Sequence, residues 1–316
     1  MCRDIATRGA GCLAGGFMQA GILRTIALLL ALLSGLLLPQ AHAVGWLIKW
    51  IVGLMLFVTF LGIRPGRGTL GVAHARLLAA NVAMAFAAWG LGWLVGGREV
   101  GLAAFFAGLA PTAIAAPAVM GFLGGRADFV AGAVLLSNVA VPALMPVLLP
   151  SVIGKLTVPV RFLDVLGSVA LVVFLPAALA AIVRKLRPSA ETWPKRLRNV
   201  MFGTWAAAMF LAMANASHYL HTHEVDHTVL AKIAVVTAVV CVANFALGRR
   251  LAGRGLEREG SQALGQKNTA FCIAMATAHA TPLVALGPTC YVLWHNLWNS
   301  WQLQQAARRD AADKAG

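Results

Sequence analysis

Apolar residues in this chain come in long runs, without the alternation of a half-buried strand or the one-sided stripe of a surface helix. A helix needs about 20 apolar residues to cross roughly 30 Å of hydrocarbon. Ten runs approach that length: residues 20–38, 45–63, 77–95, 100–122, 129–150, 162–183, 198–216, 229–247, 258–285 and 287–305. Backbone groups in lipid find partners only within a helix or a closed barrel. The pattern therefore predicts an all-α polytopic membrane protein with ten transmembrane helices. Connectors are too short for a soluble domain, so the expected units are an N-terminal tail 1–19, one transmembrane domain 20–305 and a cytoplasmic tail 306–316. Ten runs divide into two halves of five, and an odd number per half inverts the second half.

Composition agrees with this picture. The 316 residues are 59 % hydrophobic and 12 % charged, with a mean hydropathy of +0.77. Soluble domains carry about a quarter charged residues. The net charge of +15 would suggest nucleic acid in a soluble chain, but the basic residues alternate between connectors. One set holds Arg3, Arg8, Arg64, Arg67, Arg76, Arg126, Arg184, Lys185, Arg187, Lys195, Arg196, Arg198, Arg249, Arg250, Arg254, Arg258, Arg308, Arg309 and Lys314; the other holds only Arg98, Lys155 and Arg161. The basic set faces the cytoplasm, which puts both termini inside a bacterial inner membrane. Its partners there are anionic lipid headgroups, not nucleic acid. Arg24, Lys49 and Lys232 lie near run ends and can snorkel. Trp46, Trp50, Trp93, Trp193, Trp294, Trp298 and Trp301 lie mostly near run ends, as an aromatic belt does.

Residues 18–43 carry two readings. They form the first helix, or a signal peptide ending at Ala41-His42-Ala43. The division into two equal halves favours the helix.

Two runs in corresponding places are interrupted. The fourth contains Pro111-Thr112-Ala113-Ile114-Ala115-Ala116-Pro117, and the ninth contains Leu264-Gly265-Gln266-Lys267-Asn268-Thr269. Each proline removes a backbone donor. Paired broken helices mark the binding site of many transporters, because unwound backbone at mid-membrane offers free N–H and C=O groups. Taken singly, each interruption reads as a kink or a polar packing patch.

These residues resemble the bile acid:sodium symporter family. One family signature is a Pro-Gly-Gly-Thr-Ala-Ser-Asn stretch, a Lys-Gly-Asp turn and a helix with spaced prolines. Here Pro111 opens it, Arg126-Ala127-Asp128 stands at the turn, and Pro142 and Pro146 close it. The second, Gly-Met-Gln-Asn-Ser-Gly with a later His and Trp-His-Asn, is similar to Gly265–Ala270, His279 and Trp294-His295-Asn296. The resemblance covers residues 45–305. It implies two inverted five-helix repeats, a panel of helices 1, 2, 6 and 7, and a core of helices 3–5 and 8–10 with helices 4 and 9 crossing. It also implies alternating access and a small organic anion as substrate, with no cofactor.

Departures from the family pattern fall at its sodium ligands. Ala116-Pro117 replace the family's Ser-Asn, Ala263 its Glu and Lys267 its Gln; residues 77–95 contain no Gln. Ser137, Asn138 and Gln266 remain as oxygen donors, and Glu259 would join them if its helix were shifted by a turn. No acidic residue falls mid-span. Lys267 is the one strong charge expected at membrane depth, where a cation costs about 2.5 kcal/mol or more. It can stand in for sodium, pair with an anionic substrate, carry a proton, or snorkel from a helix end. The candidate site is Pro111, Thr112, Ala116, Pro117, Ser137, Asn138, Ala263, Gln266, Lys267, Asn268, Thr269 and His295. The missing sodium ligands point to sodium-independent transport. A proton- or sodium-coupled symporter, a non-transporting membrane sensor and an intramembrane enzyme are the alternatives.

HExxH, GxSxG and paired intramembrane Asp residues are absent, which argues against an enzyme. His218, His221, His223 and His227 with Glu224 and Asp226 read as a solvated outer loop, with a metal site as the alternative. His279 and His295 match family positions and read equally as packing histidines. The five scattered cysteines show no CxxC.

Overall fold

The computed structural model describes residues 26–27, 29–62, 70–153, 162–222 and 228–315. Arg3, Arg8, Arg24, Arg64, Arg67, Lys155 and Arg161 lie outside the described residues, as do His223, Glu224, Asp226 and His227. The described residues are helical almost throughout. Residues 29–37 form α1, and a 3-10 segment Pro39–Val44 follows. Then come α2 (Leu47–Leu61), α3 (Val72–Leu109), α4 (Ala116–Phe122) and α5 (Ala127–Ile153). α6 comprises Phe162–Val169, a π turn at Ala170–Phe174 and Leu175–Leu186. The remainder is α7 (Arg198–Thr222), α8 (Thr228–Leu251), α9 (Glu257–Gly265), α10 (Thr269–His279) and α11 (Pro282–Ala315). α11 absorbs most of the expected C-terminal tail.

Among the described residues, five stretches are long and apolar enough to cross a membrane: Val72–Leu109, Ala127–Ile153, Leu163–Leu186, Asn199–Thr222 and Thr228–Leu251. α2 and α10 are apolar but shorter. Large apolar side chains such as Leu37, Trp46, Leu94, Val147, Leu163, Leu186 and Val235 face outwards, as lipid contact requires. The family of helices and this apolar exterior make it a multi-pass membrane protein.

α3 is a helical hairpin. Gly96 and Gly97 leave the helical region, and Gly97 has φ +74°, which a side chain disfavours. The two arms then pack antiparallel: a Cβ at Gly92 would lie 2.6 Å from Val100 O, and one at Gly108 would lie 3.0 Å from Ala85 Cα. α5 carries Pro142, Pro146 and Pro150 at four-residue spacing on one face without ending.

Packing falls largely into two sets, which meet where α11 lies against α7 and α5 against α6. α8 lies against α3, α9 and α11, and α4 and α9 lie against α5. α2 lies against α6 and α7, and α7 against the 3-10 segment. α8 and α9 approach through glycine: a Cβ at either Gly248 or Gly260 would lie 2.2 Å from the other's carbonyl oxygen. Gly260→Ala is therefore expected to destabilise by about 1–3 kcal/mol through overpacking. Gly90 has nothing within 4 Å of a built Cβ, and Gly90→Ala should be neutral or stabilising by up to about 1 kcal/mol. Thermal unfolding in detergent distinguishes the two.

Candidate functional site

Two breaks meet in the interior. The first separates α3 from α4. Ala110, before Pro111, is extended (φ −46°, ψ 137°), as a residue preceding proline must be. Pro117 sits in the first turn of α4, where a missing N–H costs nothing. The second separates α9 from α10. Gln266 is extended at φ −88°, ψ 109° and Asn268 has ψ 89°. No proline causes this break.

The two stretches pair as a one-residue antiparallel bridge between Thr112 and Lys267. Ala113 N–H donates to Gln266 O at 2.8 Å, and Asn268 N–H donates to Pro111 O at 2.6 Å. Each break thus satisfies the other's backbone, which helical hydrogen bonds no longer do.

Side chains complete the junction. Thr112 N–H donates to Ser137 Oγ at 2.9 Å, and Thr112 Oγ1 donates to Ala263 O at 2.6 Å. Asn138 Nδ2 donates to Thr112 O at 2.8 Å, and Asn138 Oδ1 accepts from Asn268 Nδ2 at 3.0 Å. Ser137 Oγ also donates to Ala133 O at 2.7 Å. Ser137 and Asn138 thus bond backbone and amide groups of both breaks. Tyr291 OH donates to Gly265 O at 2.8 Å and accepts from Asn244 Nδ2 at 3.2 Å.

Lys267 is 3 % exposed, so snorkelling is excluded in this structure. Its Nζ donates to Asn81 Oδ1, and Asn81 Nδ2 donates to Leu109 O at 2.9 Å. The ammonium is thereby tied to the C-terminal end of α3, just beyond the C-terminus of α9. Helix C-termini carry partial negative charge and favour a cation. No carboxylate pairs with Lys267 among the described residues. A cleft lined by His74, Leu78, Asn81, Thr112, Ser137 and Ala263 leads towards this junction.

Other predicted residues fall around it. Ala116 and Pro117 open α4 and offer no side-chain oxygen. Gln266 Oε1 and Thr269 Oγ1 are buried without a partner. His295 lies one residue further out, edge-on to Tyr291 with ring centroids 5.8 Å apart. His279 bonds Ser168 Oγ at 2.8 Å. Glu259 does not rescue the absent carboxylate at Ala263. Buried Glu259 accepts from Arg126 N–H at 2.8 Å, bracing the α4–α5 turn. His74 and Tyr291 escaped the sequence reading. The signal for Tyr291 was its rarity, as one of two tyrosines, within an apolar run.

No group of three or more His, Cys, Asp or Glu able to hold a metal is present among the described residues. His218 instead stacks on His42 at 3.5 Å, and His221 Nδ1 bonds Ser217 O at 2.7 Å.

Removing one partner of a buried charge leaves the other unpaired, at about 3–5 kcal/mol. Asn81→Leu is expected to destabilise by that order. The double variant Asn81→Leu/Lys267→Met removes both groups and should recover most of the loss. Thermal unfolding of both variants measures the coupling, and additive losses would mean that the pair does not interact.

A family model described as the Sodium Bile acid symporter family matches residues 72–247. The match runs from α3 through α8 and includes the first break; the second break lies beyond it. Comparison with curated proteins gives no match. With more than half of its length matched, and with a helical membrane-spanning architecture around the matched break, the chain belongs to the sodium bile acid symporter family of membrane transporters.

Proposed function

We propose that this protein is a secondary transporter that moves a small organic anion across the bacterial inner membrane by alternating access, without sodium. The Lys267 ammonium takes the place of the coupling ion. The observation that carries this is the buried contact between Lys267 Nζ and Asn81 Oδ1 at the meeting of the two breaks. An amide oxygen there offers what a sodium ion would seek, and a tethered cation uses it.

Several features support this reading. Relatives use a Gln on helix 3 and another in the second signature. Here the helix-3 amide is Asn81 and the signature residue is Lys267, so ligand and ion are replaced as a pair. Ser137 and Asn138 spend their polar atoms on Thr112 and Asn268. The ten-helix, inverted-repeat organisation is supported by the matching positions of the breaks. The two packed sets fit a panel, α1, α2, α6 and α7, and a core, α3–α5 and α8–α11. A cation without a carboxylate partner leaves a positive interior, which favours an anionic substrate. The proton-coupled alternative shares the same lysine.

The test is uptake of labelled organic anions into proteoliposomes. Uptake should saturate, show counterflow and continue when choline replaces sodium. Collapse in choline would overturn sodium independence, and failure of every anion to accumulate would overturn transport. Lys267→Ala is expected to lower uptake at least tenfold.

A further inference from the structure

Seven buried side-chain polar atoms lack a hydrogen-bond partner among the described residues: Asn244 Oδ1, Gln262 Oε1, Gln266 Oε1, Thr269 Oγ1, Trp294 Nε1, His295 Nδ1 and Trp298 Nε1. They are not scattered. One lies on α8, three on the α9–break–α10 segment and three on α11, and α8, α9 and α11 form one packed group. The panel helices α2, α6 and α7 contribute none.

The orphans follow a track. On α11 they recur at 294, 295 and 298, on the side that also carries Tyr291 and Asn299. At one end, half-buried Gln302 accepts from Gln262 Nε2 at 2.6 Å, and Asn299 Oδ1 accepts from the same group at 3.0 Å. At the other, Asn244 Nδ2 donates to Tyr291 OH, which donates to Gly265 O. From Gln302 to Tyr291 the stripe rises about 16 Å along the helix. It starts near the turn carrying Arg249, Arg250, Arg254 and Arg258 and ends at the break that holds Lys267.

A buried polar atom without a partner is costly, and more than nine in ten find one. Buried waters partner such atoms elsewhere, each making about three hydrogen bonds where several polar groups converge. The set is suited to water: carbonyl oxygens accept, indole N–H groups donate, and the hydroxyl and imidazole do either.

We propose that the seam between α8, α9 and α11 is a built site for a chain of water molecules, leading from the arginine-rich end of the bundle to the Lys267 break. The site does not depend on which substrate is carried or on whether transport occurs.

Millisecond hydroxyl-radical labelling of the whole protein in lipid nanodiscs tests this. Radicals form on water, so a buried residue beside trapped water is labelled quickly. Tyr291 and Met145 are both fully buried, in two separate apolar clusters, and only Tyr291 has unpartnered polar atoms on its helix face. Methionine is the more reactive side chain. Labelling of Tyr291 with protection of Met145 is the expected result; equal protection of both would overturn the proposal. A second measurement has opposite signs for a wet and a dry seam. Thr269→Val and His295→Phe delete orphan atoms. In a wet seam they break water bonds and lower Tm by about 2–4 °C each. An unchanged or raised Tm in both would show a dry seam and overturn the proposal.

Discussion

Every peptide group placed in an apolar slab must find a partner in protein, and this structure rests on how two interrupted helices meet that demand. Pro111 to Ala115 and Gln266 to Asn268 have left the helical ladder. Neither could survive alone at that depth. They survive as a pair, because two backbone hydrogen bonds join them and Ser137 and Asn138 take up the Thr112 N–H and C=O. The crossing is thus a small polar knot tied inside an apolar bundle.

Charge follows from the same economy. A buried ammonium is tolerable where its hydrogens meet oxygen and where helix ends turn negative, and Asn81 provides the first while α3 and α9 provide the second. A cation on a side chain is fixed to the chain, so its position at the crossing is independent of the ionic composition on either side.

The sequence made some of this legible and hid the rest for physical reasons. Run lengths and proline placement located the helices and the first break, because both are backbone properties. Lys267 stood out because a lone cation in an apolar run is expensive. The partner could not be read: Asn81 lies 186 positions away, and nothing local separates an amide that meets an ammonium from one that ties two helices. The partner of Glu259 was hidden by the same limit. The residue's spacing suggested a site carboxylate displaced by one turn, whereas its carboxylate accepts a backbone N–H from the α4–α5 turn. Hydropathy also left residues 306–315 as a tail, since a helix leaving the membrane turns polar without ending.

The π turn in α6 sets a condition of a different kind. A π turn takes in one residue more than the α turn it replaces, so side chains beyond Leu175 are rotated by about 100° from an uninterrupted helix. Val172, Val173, Pro176 and Ala180 face inward in that altered register, with the π turn and Leu175–Leu186 both against α2. Chain length here matters as much as residue type. Loss of one residue between 170 and 174 would let the π turn relax to an α turn and keep the packed face in place, whereas loss of one residue elsewhere in α6 would turn that face by about 100° towards lipid.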